Sequence, residues 1–486
     1  MGERSYTISS WIFARALGVV LLIAFVSLGV QAEGLFGPRG IVPIEIFVES
    51  ARHAGHSFWH HPSALWWSGS DAMINAVWVA GSLAAVALIV GLLPRLALAV
   101  CWFAYLSFVS VGWPFMSFQW DTLLLETSFT AFFLVPWRVW DRPGAHHDPH
   151  PVARWALWWL LFRLVFRSAY VKLASGDPTW ADMSALTYHY WTQPLPNPIS
   201  WYANLLPASV QKLSCFLMFV IELGAPVLIW IPRAAARRAA AASIGALMAL
   251  IALTGNYGFF NLLTIVLCIP LLDDRALRRL LPGRFESRPR REPRSERSLW
   301  PGVAPALVIA VTAAIFFAGT FGARPPGWLG PVYRFSTFNN YGLFAVMTTE
   351  RLEIELEGTL DGQRWTPYEF PYKPGAVDRA PPWVAPHQPR LDWQMWFAAL
   401  GDARRNPWLA NLMQRLLEGE PRVLRLMGEN PFHAAPPKQI RAIIYRYEPT
   451  TRAEKSVTGD WWKRRDRALY APILGVPITA PVTTAE

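Results

Sequence analysis

Apolar runs near residues 11–30, 73–93, 96–112, 118–137, 155–174, 213–231, 239–272 and 303–321 exclude a fold built in water alone. They approach or exceed the roughly 20 residues a helix needs to cross a hydrocarbon core about 30 Å thick. The run at 239–272 is too long for one crossing. Thr254-Gly255-Asn256-Tyr257-Gly258 at its centre carries turn residues, which predicts two short spans and nine in total. The first run, Trp11–Val30, stands where a signal peptide would. Its length and the lack of a small-residue cleavage site predict a retained span. Composition agrees, since 16% of residues are charged, against about 25% in a typical soluble domain.

Charge sets the orientation. With nine spans and a cytoplasmic N-terminus, the inner segments hold Arg4, Arg95, Arg138, Arg142, Arg154, Arg233, Arg237, Arg238 and an Arg cluster at 275–297. The outer connections hold few cations, such as Arg39, Arg52 and Lys212, as the positive-inside rule expects. Eight spans would place the 233–238 and 275–297 loops on opposite sides. The expected fold is a polytopic α-helical membrane protein of about nine spans over residues 1–321. Outer loops are expected at 31–72 and 175–212, and a basic cytoplasmic loop at 273–301. The net charge of +11 owes much to that loop and is no nucleic-acid footprint. Cys101, Cys215 and Cys268 all fall in apolar runs and read as buried small hydrophobes, not disulfide partners.

Residues 322–486 read as a soluble outer-side α+β domain containing an antiparallel sheet. Arg351–Glu357 alternates polar and apolar residues, and Asp361-Gly362 is a hairpin turn before Trp365–Phe370. Helices are expected at 391–400 and 407–418, and a closing strand at 439–447.

Asp121 and Glu126, at the head of the fourth run, would cost about 2.5–3.5 kcal/mol each in a membrane unless paired or watered. Five positions separate them, about 140° around a helix, so a shared-proton pair is not supported. Arg163 and Arg167 in the fifth run share a helix face, and Lys172 sits at its outer end, able to snorkel. This basic face is expected to meet the two acids, as an ion-paired core without chemistry or as a substrate or proton site. His189 lies in an aromatic, Pro-rich outer loop and reads as a structural residue or a base. Neither His53, His56, His60 and His61 nor His146, His147 and His150 has a completed ligand set, so no metal and no cofactor is expected. His387 and Asp392 are spaced like a base and its orienter, but no nucleophile motif accompanies them.

The chain resembles the lipase maturation factors. The likeness is carried by Ser117–Phe129 and by the outer-loop residues Trp180, Tyr188, His189, Tyr190, Gln193 and Asn197. It continues in Asn340-Tyr341-Gly-Leu-Phe, Tyr372-Lys-Pro-Gly and the run Ala385–Gly401, which contains His387, Arg390, Asp392, Trp393 and Trp396. The resemblance implies a membrane protein that assists folding or assembly of secreted clients through its outer domain. Asn340, Tyr341, His387, Arg390, Asp392, Trp393 and Trp396 would then be client-binding. Membrane lipids and secreted, lipase-like proteins are the implied partners, with no nucleic acid. The membrane half resembles more distantly the transmembrane domain of vitamin K-dependent γ-carboxylase. That likeness implies an alternative, an enzyme acting on a lipid, quinone or protein through Asp121, Glu126, Arg163 and Arg167. Eukaryotic relatives reside in the endoplasmic reticulum membrane. The Ala/Arg-rich run Arg233–Ala242 suggests a bacterium with GC-rich codons, hence an inner membrane with a periplasmic tail, and only the kind of job carries over.

Overall fold

A computed structural model of the chain describes residues 5–142, 148–280, 300–323 and 327–476. Most of the basic loop expected at 273–301 lies outside these residues, as do His146 and His147. Helices stand at all nine expected positions: α1 (Thr7–Phe36), α2 (Asp71–Val90), α3 (Pro94–Val109), α4 (Gln119–Phe132), α5 (Pro151–Ala174), α6 (Ala208–Trp230), α7 (Ala234–Thr254), α8 (Phe260–Cys268) and α9 (Trp300–Thr320). Five of them, α1, α2, α6, α7 and α9, are long and apolar enough to cross a membrane. The count of nine crossings is not established by this, because α3, α4 and α8 are short and α5, though 24 residues long, carries Arg154, Arg163, Arg167 and Lys172. With 14 residues, α4 extends only about 21 Å. Most residues of α4 and α8 are buried inside the protein.

Local chemistry explains where helices start and stop. Pro94 and Pro151 open α3 and α5 from positions where no amide bond is lost. Ser70 caps α2, and Gly91, at φ 86°, ends it in the left-handed region. At the head of α1 the carboxylate of Asp274 accepts from the amides of Ile8 at 2.9 Å and Ser9 at 3.2 Å, satisfying orphan donors at a positive dipole end.

The 239–272 run breaks as expected. Helix α7 ends at Gly255, where a side chain would collide with Gln193 Oε1. Irregular backbone at membrane depth needs internal partners, and these are present. Gln193 and Asn197 donate to the Thr254 and Leu253 carbonyls at 2.7 and 3.1 Å. Buried Asn256 donates to the Pro382 carbonyl at 2.9 Å and accepts from the amides of Val384 and Ala385.

The C-terminal part forms a four-stranded antiparallel sheet, ordered β2-β1-β3-β4, with β1 Arg351–Thr359, β2 Thr366–Tyr368, β3 Gln439–Pro449 and β4 Trp462–Gly475. Helices α10 (Arg390–Ala399) and α11 (Pro407–Leu417) pack against it. The strand expected to close the sheet, 439–447, is an inner one. The edge beside it is β4, opposite the β2 edge, and its Lys463-Arg464-Arg465-Asp466-Arg467 carries the charge that blunts sheet edges and hides the alternation of a strand.

Candidate functional site

Asp121 and Glu126 are both buried, and each meets the C-terminal part of the chain. Asp121 stands in the first turn of α4. It takes a bidentate pair from Arg390 at 2.8 and 2.9 Å and a hydrogen bond from the Tyr105 hydroxyl at 2.6 Å. Arg390 also donates to the Phe115 carbonyl at 2.6 Å. Such a planar fork on a carboxylate is a strong, oriented form of ion pair. Around it, α1 grips the irregular segment leading into α10. Ser27 Oγ accepts from the Gln388 amide at 2.8 Å and lies 2.9 Å from His387 Nδ1, while Gln31 accepts from the Arg390 amide at 2.8 Å.

Glu126 forms the second lock. One oxygen pairs with Arg163; the other accepts from the Tyr341 hydroxyl at 2.6 Å and from Asn339 Nδ2 at 3.1 Å. Arg163 in turn donates to the Asn339 carbonyl at 2.8 Å.

The expected basic face therefore divides. Arg163 meets Glu126, but Asp121 belongs to Arg390 from the tail. Arg167 turns to the C-terminus of α9, donating to Thr320 Oγ1 at 3.0 Å and the Gly319 carbonyl at 3.2 Å, where a helix dipole favours a cation. Lys172 does not snorkel; it is buried against both oxygens of Glu222 at 2.7 and 2.8 Å. His387 and Asp392 do not form a base–orienter pair. Asp392 accepts from the amides of Tyr372 and Lys373 at 2.9 and 2.8 Å.

The motif residues face inward. Tyr341, Arg390, Asp392, Trp393 and Trp396 are all buried, and of the seven residues expected to bind a client only Asn340 is exposed. His387 is half-buried, and the five buried residues are out of reach of a partner on the surface. The loop at 175–212 works the same way. Besides Gln193 and Asn197, its carbonyls at Trp191, Gln193 and Pro194 accept from fully buried Arg351. Trp396 donates to the Thr192 carbonyl at 2.9 Å, and Lys172 lies 5.3 Å from the Trp180 ring centroid. Tyr188 and Tyr190 are half-buried, while His189 Nε2 lies 3.1 Å from the Tyr257 hydroxyl. Tyr105, Ser27, Gln31 and Glu222 escaped the sequence reading, while Asn339 adjoins the Asn340-Tyr341 motif. Glu222 alone carried a signal, a carboxylate inside an apolar run. Among the described residues no group of three or more potential ligands converges on a metal position.

Burial, helped by the Lys172 charge, lowers the pKa of His189 to about 4, and burial with Arg390 does the same to His387. Burial raises Asp392 to about 6 against its two backbone donors. The histidines bind fewer protons folded than unfolded between 6.5 and about 4, so their stabilisation is full above 6.5 and is lost as pH falls toward 4. Asp392 acts oppositely, favouring the fold below 3.8 and losing that contribution as pH rises to about 6. Two groups outweigh one. Thermal unfolding followed from pH 7 to 4.5 is expected to show falling stability, with a shallower fall in His189→Gln; an equal slope in that variant would remove His189 from the account.

Residues 8–279 match the family described as "Lipase maturation factor transmembrane domain", and residues 337–472 match "Lipase maturation factor C-terminal domain". The chain is 34% identical to Lipase maturation factor 2 of Homo sapiens over 579 residues, covering 93% of this chain and 81% of the relative. It is 35% identical to Lipase maturation factor 2 of Gallus gallus, covering 96% and 81%. It is 30% identical to Lipase maturation factor 1 of Homo sapiens, covering 97% and 88%. No solved structure matches.

Proposed function

The chain belongs to the lipase maturation factor family, and from that premise we propose that it assists the folding or assembly of secreted, lipase-like clients of its own cell. The observation that carries this reading over an enzymatic one is the engagement of the acids. Asp121 and Glu126 each hold a buried arginine and a tyrosine hydroxyl, an arrangement suited to docking the tail rather than to proton transfer.

Residues 1–321 form the membrane domain in this proposal, and 322–486 an outer-side domain, periplasmic in a bacterial inner membrane. Nine crossings are supported by the sorting of segments between two ends. At one end the Tyr6 amide donates to Asp148 at 2.7 Å and Ser5 Oγ to Asp274 at 2.7 Å, gathering three segments expected inside. At the other, the Met347 amide donates to Asp177 at 2.6 Å, joining tail to outer loop. The client surface lies on β4, an edge with no described strand on its far side and with Leu469 and Ile473 exposed.

Deleting the gene should lower the specific activity of exported lipase several-fold at unchanged lipase abundance. The full chain should restore it, Leu469→Glu with Ile473→Glu should not, and alkaline phosphatase fused after Val476 should be active. Unchanged lipase activity in the deletion strain would falsify the maturation role, and an inactive fusion the orientation.

A further inference from the structure

A cavity of about 1120 Å³ lies where α5, α6, α7, the outer loop and α10 converge. It exceeds slightly the ~300–1,000 Å³ of typical small-molecule sites. Its membrane-side wall is aliphatic, with Leu164 of α5, Met218 of α6 and Leu247 and Ile251 of α7. Three tryptophans also line it, Trp120 and Trp393 packed on one another at 4.7 Å and Trp180 against Phe219 of α6, and they are 4%, 2% and 3% exposed. The indole N–H of each has no hydrogen-bond partner among the described residues. An unmet buried donor costs about 1–3 kcal/mol, so three around one cavity call for an occupant with acceptor oxygens.

The other polar groups narrow the choice. Lys172 and Glu222 lie on the wall but neutralise each other at 2.7 Å, leaving the interior without net charge. A free anion is therefore disfavoured there. Leu206 and Leu250 line the cavity and are themselves exposed, as is Tyr202, so the opening has an apolar rim among helices of membrane length. Exposed Arg405 also borders the space.

We propose that this cavity binds one glycerophospholipid. Its acyl chains lie against the α5–α7 wall, its ester carbonyls accept from the orphaned indoles, and its phosphate lies toward Arg405. The lipid joins the membrane helices to the tail from inside. The inference does not rest on the maturation role, and its test reads no lipase activity.

The full chain, purified in detergent and incubated with 1-palmitoyl-2-oleoyl-phosphatidylethanolamine, is examined by native mass spectrometry. One lipid per chain should survive conditions that strip the lipid belt. Leu83→Trp, on an exposed site of α2 away from the cavity, should retain it equally. Filling the space with Ser168→Phe or Ala203→Trp, on different walls, should reduce retention at least tenfold. Trp180→Phe with Trp393→Phe, which removes two donors at nearly constant volume, should reduce it several-fold and decides the matter if the filled variants do not fold. Absence of a retained lipid on the unaltered chain, equal retention in filled and unfilled variants, or a quinone in place of a phospholipid would overturn the proposal.

Discussion

Replacing Arg390 by Met is expected to lower stability by about 3–5 kcal/mol, the usual cost of removing one partner from a buried ion pair. The loss arises chiefly from what remains. Asp121 is fully buried and would keep only the Tyr105 hydroxyl, at 2.6 Å, against the desolvation of its charge. The Phe115 carbonyl would lose its donor as well. The double variant Asp121→Leu with Arg390→Met removes both charges and should recover at least half of the deficit, because apolar replacement of a whole buried pair is often neutral or better. Thermal and denaturant unfolding in detergent measure both. Hydrogen exchange should rise in the single variant first over residues 385–400, the segment Arg390 holds. If Arg390→Met unfolds like the unaltered chain, the pair does not dock the tail.

This dependence alters what a truncation can reveal. Removing the tail after Thr320 would take away Arg390, Asn339 and Tyr341 and leave both acids short of partners. Loss of function in such a fragment would report a damaged membrane half as readily as a missing client surface. Surface changes on β4 avoid that confusion.

Much of the architecture was legible because it is written at short range. Apolar runs marked every long helix, turn residues marked the break at 254–258, and alternation marked β1 at 351–359. The choice of partners was not legible. Periodicity ranks neighbours within a turn or two, and so it paired Asp121 with the nearby arginines of α5. The true partner stands 269 positions away, and nothing local to either residue encodes that distance. Trp393 and Trp396, which the family resemblance cast as client-binding, are buried. Aromatic and arginine-rich segments look alike in sequence whether they cover a client or plug the protein's own bundle. Strand β4 was missed because charged residues on an exposed edge erase the hydrophobic alternation that a strand search reads.

The second lock should fail separately from the first. Glu126→Ala strips the acceptor from Arg163, Tyr341 and Asn339 together, leaving a guanidinium that is 2% exposed without a counter-charge. The expected cost is again about 3–5 kcal/mol. Its location differs, since the segment released is 336–344 and not 385–400. Hydrogen exchange should therefore rise over 336–344 in Glu126→Ala while the Arg390 contacts stay protected, and the reverse should hold in Arg390→Met. Identical exchange patterns in the two variants would mean one cooperative interface rather than two locks. Glu126→Gln then separates docking from chemistry. It keeps the shape and an acceptor oxygen for Tyr341 but removes the charge facing Arg163. A docking role predicts that exported lipase activity falls only as far as the amount of folded protein falls. Lipase activity abolished at full folded abundance would assign Glu126 a chemical step and return the enzymatic reading to first place.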